Sequence, residues 1–208
     1  MTRCFLASAC ALALFVGATL AAGAADLKVA VVDMGKVTQN YTALQERSKA
    51  LQEWFNSKQD YLRRLSDFLL LSADNFNEVV ALLNAPAPLP ADKQARLKEL
   101  SDLAASKEKA YHDLESKPNR TAQEDEAYKS MGDQYDSGQQ RMAAEQAKLS
   151  ADYNQQVTTA RDGFRKKVEE VAAGLAKDEG FGLVLDTDMV LFGGTDITDK
   201  ILAKLNGR

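Results

Sequence analysis

From Val37 onward the apolar residues recur on alternating steps of four and three, and few folds accommodate that pattern. The series runs Val37, Tyr41, Leu44, Ser48, Leu51, Phe55, Lys58, Leu62, Leu65, Leu69, Ser72, Phe76, Val79, Leu83, and eleven of these fourteen positions are apolar. A sustained 3.5-residue period is the seam of a coiled coil. At ~1.5 Å per residue the helix it predicts is roughly 70 Å long. So narrow a stripe on a polar helix needs a partner helix along its length. Pro86, Pro88 and Pro90 then stop it.

A second helix is predicted from about Ala91 to Lys117, with Leu97, Leu100, Ala104, Tyr111 and Leu114 on one face. Pro118-Asn119 breaks it. Thr121 reads as the N-cap of a third helix, and Glu124 three residues on completes a capping box. That helix runs to about Asp178. Its later half places Leu149, Tyr153, Val157, Ala160, Phe164, Val168, Val171 and Leu175 on an 11-residue period, which favours straight or slightly right-handed pairing. Gly132, Gly138 and Gly163 weaken it, each by about 1 kcal/mol relative to alanine, so its middle is expected to be a flexible point. The first and third helices match in length. The simplest packing is a long antiparallel hairpin whose far end the middle helix thickens. A turn at Asp136-Ser137-Gly138 would give a four-segment tip instead.

The two ends of the chain read differently. Leu27–Asp33 is a β-branched strand, and Phe181–Asp186 is a second. Thr187-Asp188 reads as a polar hairpin turn rather than part of a metal-binding acidic pair. Met189–Phe192 is then a third strand, ended by Gly193-Gly194. Asp196 or Thr195 can cap a last short helix with Ile197, Ile201, Leu202 and Leu205 on one face. The fold class is therefore mainly α: a helical hairpin at about 37–178, with its extra middle helix at about 91–117, on a small β head from 26–36 and 179–208. A head this small and apolar rarely stands alone. Oligomerisation through its strands is the economical solution.

Residues 1–25 read as a secretory leader: Arg3, an apolar run from Phe5 to Leu20, and the small residues Ala22-Gly23-Ala24-Ala25. Cys4 and Cys10 both lie inside it, so the mature chain is expected to be free of disulfides. Loss of Arg3 moves the net charge from −4 to −5, with both signs interspersed. That is the composition of solvated helix faces and argues against nucleic acid as a partner.

These pieces together resemble a known family. They are Lys28-Val29-Ala30-Val31-Val32-Asp33-Met34 opening a long helix, then Gly180-Phe181-Gly182-Leu183-Val184-Leu185-Asp186, then Gly194-Thr195-Asp196-Ile197-Thr198-Asp199. In this order around a helical hairpin they resemble the Skp/OmpH family of periplasmic chaperones. The resemblance implies a homotrimer whose strands build a shared β body, with three hairpins hanging from it as tentacles around a cavity. That cavity would hold unfolded outer-membrane β-barrel proteins without ATP. It also implies that Val29, Val31, Val184, Leu185, Val190 and Leu191 lie in the trimer body. Two departures stand out: the middle of the chain is longer than in the best-known members, and the chain is acidic where they are strongly basic. Lipopolysaccharide or membrane contact is therefore not carried over.

No residue pattern calls for a cofactor or a metal. The chain offers no nucleophile with a base, no ligand spacing and no phosphate loop, which argues against an enzyme. The lone His112 is expected in solvent. Trp54 reads as packing within the hairpin. Arg161, Arg165, Lys166 and Lys167 read as a solvated face. Phe68, Leu70 and Leu71 put apolar groups all around the helix near the tip, either buried against the middle helix or exposed as a client contact. The readings that compete are a periplasmic holdase and a periplasmic coiled-coil spacer or assembly adaptor. The end motifs favour the holdase.

Overall fold

The computed structural model describes residues 27–207; the expected leader lies outside them. Strand β1 (Val29–Val32) leads into helix α1 (Met34–Asn40). Asp33 caps α1 by accepting a 2.7 Å hydrogen bond from the Lys36 backbone N–H. Tyr41 is extended, with φ −81° and ψ 109°, and this kink separates α1 from α2 (Thr42–Leu65). A 3₁₀ turn over Ser66–Phe68 follows, then α3 (Ala73–Leu83), capped by the Ser72 hydroxyl. Helix α4 spans Ala91–Glu115 and α5 spans Ala122–Glu179. The Thr121–Glu124 capping box is formed as the sequence requires. Gly180 closes α5 at φ 74°, a left-handed conformation that glycine adopts without a Cβ penalty.

The rod departs from the expected continuous helix in its last third. The 3.5-residue series breaks at Ser66–Ser72, and α3 turns to pack against both α2 and α4. Phe76, Val79 and Leu82 are then buried with Tyr61, Leu65, Phe68, Leu71, Leu100, Ala104 and Leu149 in one core. A stripe that could have faced one partner helix faces several, because turning back buries it on more sides.

Helices α2 and α5 meet through aromatic groups. Trp54 stacks on Tyr153 at 6.2 Å between ring centroids, and Phe55 tilts against the same ring at 5.5 Å. The Tyr61 hydroxyl donates to Glu145 at 3.0 Å. Nearer the head Tyr41 stacks on Phe164 at 6.0 Å. Rising numbers on α2 thus meet falling numbers on α5, so the two helices run in opposite directions.

Helix α5 has no break at its middle glycines, and no turn forms at Asp136-Ser137-Gly138. Gly138 is buried, and a Cβ built there would sit 2.0 Å from the Leu69 carbonyl oxygen. Its missing side chain lets the Ser66–Phe68 turn settle against α5. Gly138 is a close-approach site. Arg141, one turn on, donates to the Leu71 carbonyl at 2.9 Å and lies over the Phe76 ring.

The head is a three-stranded sheet in the order β2-β1-β3, both pairings parallel. Strand β2 is Leu183–Asp186, paired Val29 to Leu183 and Val31 to Leu185. The expected hairpin is not there. Asp186 instead accepts from the Asp188 N–H and starts a 3₁₀ turn at Thr187–Met189. The third strand is Thr195–Asp196 and not Met189–Phe192. It lies on the other side of β1, held by Val31 carbonyl acceptance from the Ile197 N–H at 3.0 Å. Helix α6 (Thr198–Leu205) closes the chain, with Asp196 accepting from the Thr198 N–H at 2.8 Å. The buried Thr198 hydroxyl in turn accepts from the Asp33 N–H at 2.9 Å, tying α6 to the end of β1.

Candidate functional site

The head sheet has two unlike faces. Strand geometry sends alternate side chains to opposite sides. On one side Ala30, Val32 and Val184 meet Val37, Val168, Leu175, Ile197, Ile201, Leu202 and Leu205, so the sheet is sealed by α5 and α6. On the other side Val29 and Leu185 are half-buried and Leu183 is exposed. Val31 on this side is buried, and Gly194 is the reason. The Gly193-Gly194 backbone, at φ 92° at both residues, passes so close that a Cβ at Gly194 would meet the Val31 Cγ1 at 2.7 Å. A non-glycine residue would be strained there on both counts.

The segment from the last residue of the 3₁₀ turn to that glycine pair, Met189–Phe192, carries the largest apolar exposure among the described residues. Met189 is 76% exposed, Phe192 98%, and Leu191 is wholly in solvent. Three large apolar side chains in four residues, next to a half-open apolar sheet face, form a patch of the kind that marks an interaction surface.

Two of the residues singled out from sequence are covered by segments of their own chain. Val184 faces the helical core of its own chain, so its first contacts are internal. Val31 is covered by the glycine loop. Val29, Leu185, Val190 and Leu191 remain on or beside the open face, from half-buried to fully exposed. Met189, Phe192 and Leu183 belong with them. Sequence reasoning counted the first two as an ordinary strand; the signal available was their position between a turn and a double glycine with no polar alternation.

At the far end Phe68, Leu70 and Leu71 are buried, Phe68 and Leu71 within the core that α2, α3, α4 and α5 share. Phe68 and Leu71 are turned into that core because the turn that carries them is pressed onto α5 at Gly138, while Leu70 lines a cavity beside it. The exposed apolar groups of the helices are instead Phe55, Leu103 and Val157, all only marginally open.

The charged groups are mostly partnered and solvated. Arg96 forms a two-pronged pair with Glu78, at 2.9 and 2.8 Å, joining α4 to α3. This holds the Glu78 carboxyl below its ordinary 4.5, the Arg96 hydrogen bond outweighing desolvation. Burial, with Glu145 beside it, pushes the Tyr61 phenol up to about 12. In the basic cluster Arg161, Arg165 and Lys167 lie 3.6 to 3.9 Å from Asp162, Glu169 and Glu170, well exposed. His112 is exposed, 3.1 Å from Glu115. Among the described residues no helix is long and apolar enough to cross a membrane.

No curated protein matches the chain. The profile of the outer membrane protein (OmpH-like) family matches residues 28–205, from β1 through the rod to the end of α6. The sequence motifs at both ends, the helical body between them and that match across almost every described residue lead to one conclusion: the chain belongs to the OmpH-like family.

Proposed function

We propose that this protein is an ATP-independent periplasmic holdase that binds unfolded outer-membrane β-barrel proteins and works as a homotrimer. The family is one of periplasmic chaperones, and the match over residues 28–205 is the observation that carries the reading. In this reading residues 26–36 and 179–208 form the oligomerisation head. Residues 37–178 form the tentacle, a hairpin of α2 against α5 whose tip is thickened by α3 and α4.

The apolar patch at Met189, Leu191 and Phe192, with Val29, Leu183, Leu185 and Val190, supports assembly through the head. Leaving such a patch in water is costly, at roughly 25 cal/mol per Å² of apolar surface. A second and third copy would cover it.

Two measurements test the proposal together. Light scattering on the mature protein at micromolar concentration should give three times the protomer mass. Dilution of a urea-unfolded barrel protein into buffer should leave it soluble with the protein present and aggregated without it. A trimer that fails to keep any barrel protein soluble would instead favour the spacer or assembly-adaptor reading. A folded monomer would refute the shared body.

A further inference from the structure

Where the turn after α2 crosses α4 and α5, the three elements enclose a cavity of about 290 Å³. Its walls come from one face of α4, Glu108, Tyr111, His112 and Glu115, from Asp67 and the Leu69-Leu70 segment, and from Tyr135 of α5. Gly138 makes the cavity possible, since it lets Leu69 sit on α5 one turn beyond Tyr135. This volume is at the low end for small-molecule sites, which suits one long side chain better than a whole ligand.

The charge of the lining is one-sided. Three acidic residues line it, Asp67, Glu108 and Glu115, and no lysine or arginine does. Some carboxylates elsewhere on the same helices sit in ion pairs, as Lys98–Asp102, Lys109–Asp113, Lys117–Glu124 and Arg120–Asp125 do. Among the described residues Asp67 and Glu108 make no ion pair, and Glu115 has only His112. The aromatic wall is ordered. Tyr111 stacks on Tyr135 at 6.2 Å and on Tyr128 at 5.2 Å, within 12° of parallel. The Tyr111 phenol is held above its ordinary range by the adjacent Tyr128 hydroxyl foremost, then by burial, with the negative charges of Glu115 and Asp136 adding to it.

Leucine and alanine walls, tyrosine faces and three acidic residues, two of them without an ion pair, describe the complement of a guanidinium on an aliphatic stem. Such a group stacks on tyrosine, hydrogen-bonds carboxylates in pairs and needs an apolar lining for its stem. We propose that this slot at the tip binds an arginine side chain of an unfolded polypeptide segment, giving the acidic chain a local grip on basic stretches. The proposal rests on the holdase reading for its partner but has its own readout. The other cations near the slot are already engaged: Lys107 on Gln134, and Arg120 on Asp125 and the Tyr128 ring.

The probe is a labelled, unstructured peptide with two arginines among apolar residues, compared with the same peptide carrying glutamine instead. Binding to the full mature protein is followed by fluorescence anisotropy. The arginine peptide should bind more tightly. The triple variant Asp67→Asn, Glu108→Gln, Glu115→Gln should lose that preference, by about tenfold in affinity, while binding the glutamine peptide as before. A control that neutralises Glu46, Glu53 and Glu126, all exposed and none lining the slot, should keep the preference. Circular dichroism and the unfolding midpoint establish that each variant is folded; should the triple variant fail to fold, Glu108→Gln alone carries the comparison. Equal binding of the two peptides by the wild type, or equal loss of the preference in the control, overturns the proposal. The barrel-protein dilution assay separates the two readings. A protein that holds barrel proteins without arginine preference refutes the slot alone. One that prefers the arginine peptide but holds no barrel protein refutes the holdase alone.

Discussion

Three glycines of α5 offer a test in which the same substitution should change sign with position. Replacing a helical glycine by alanine in open solvent reduces unfolded-chain entropy and stabilises by about 0.5–1 kcal/mol. Gly132 and Gly163 have nothing within 4 Å of a built Cβ, so Gly132→Ala and Gly163→Ala should each give that gain. At Gly138 the new methyl would sit 2.0 Å from the Leu69 oxygen, 2.7 Å from its carbonyl carbon and 2.8 Å from its Cα. All three are backbone atoms, so no side chain can swing aside to make room. Relief requires the whole turn to lift, and that turn carries Phe68 and Leu71 into the core and receives the Arg141 hydrogen bond. Overpacking of this kind costs about 1–3 kcal/mol, more than the propensity gain of about 1 kcal/mol returns. Gly138→Ala should therefore be net destabilising by up to about 2 kcal/mol. Urea unfolding followed by circular dichroism reads the difference, at one fixed protein concentration because the proposed assembly would make the midpoint concentration-dependent. If Gly138→Ala stabilised as much as Gly132→Ala, the close approach of Leu69 to α5 would be wrong, and with it the floor of the tip cavity.

Other consequences follow from the head and the caps. Phe192→Ser should shift the protein towards monomer in sedimentation while leaving a protomer with native circular dichroism, since Phe192 touches little of its own chain; unchanged assembly would remove it from the interface. Val184→Asp should instead unfold the head outright, because it places a charge against the helical core, and a folded, merely dissociated protomer would contradict the internal role given to Val184. The Asn206 side chain accepts from the Thr42 N–H at 3.0 Å and donates to the Asn40 carbonyl at 3.1 Å, clasping the kink between α1 and α2. Asn206→Ala should cost about 1 kcal/mol and speed hydrogen exchange at Thr42, whereas unaltered exchange would mean that the clasp does not hold the kink. Glu124 is held below its ordinary 4.5 by Lys117 first and then by the Thr121 backbone N–H. The unfolded chain therefore binds more protons in this range, and the Glu124 contribution is present above pH 4.5 and lost as pH falls through its lowered value. Glu124→Gln should flatten the acid limb of the midpoint-against-pH curve, and an acid limb identical to that of the wild type would count against the cap.

The elements readable in the chain are those that neighbouring residues decide among themselves. Thr121 and Glu124 are three apart and satisfy each other's helix end, so the start of α5 stands where the sequence places it. Pro118 and the Pro86–Pro90 cluster cannot continue a helix, so α4 is bounded in advance. The β-branched run at Val29–Val32, the strand at Leu183–Asp186 and the apolar face of α6 are local for the same reason. Family membership is legible at the same level, through motifs at the two ends. What tertiary structure decided are choices that a local pattern leaves degenerate. A 3.5-residue stripe reads alike in one long helix and in two that fold back, and only the core shared by α2, α3, α4 and α5 selects the break at Ser66–Ser72. A glycine in a helix reads as weakness until another segment's backbone is found resting on it, as Leu69 rests on Gly138. Met189–Phe192 has a strand's composition, but the free edge of β1 is taken by Thr195–Asp196, which α6 anchors through Ile197 and Thr198. Strand pairing is a competition for backbone partners that are distant in sequence, and composition does not record who wins it.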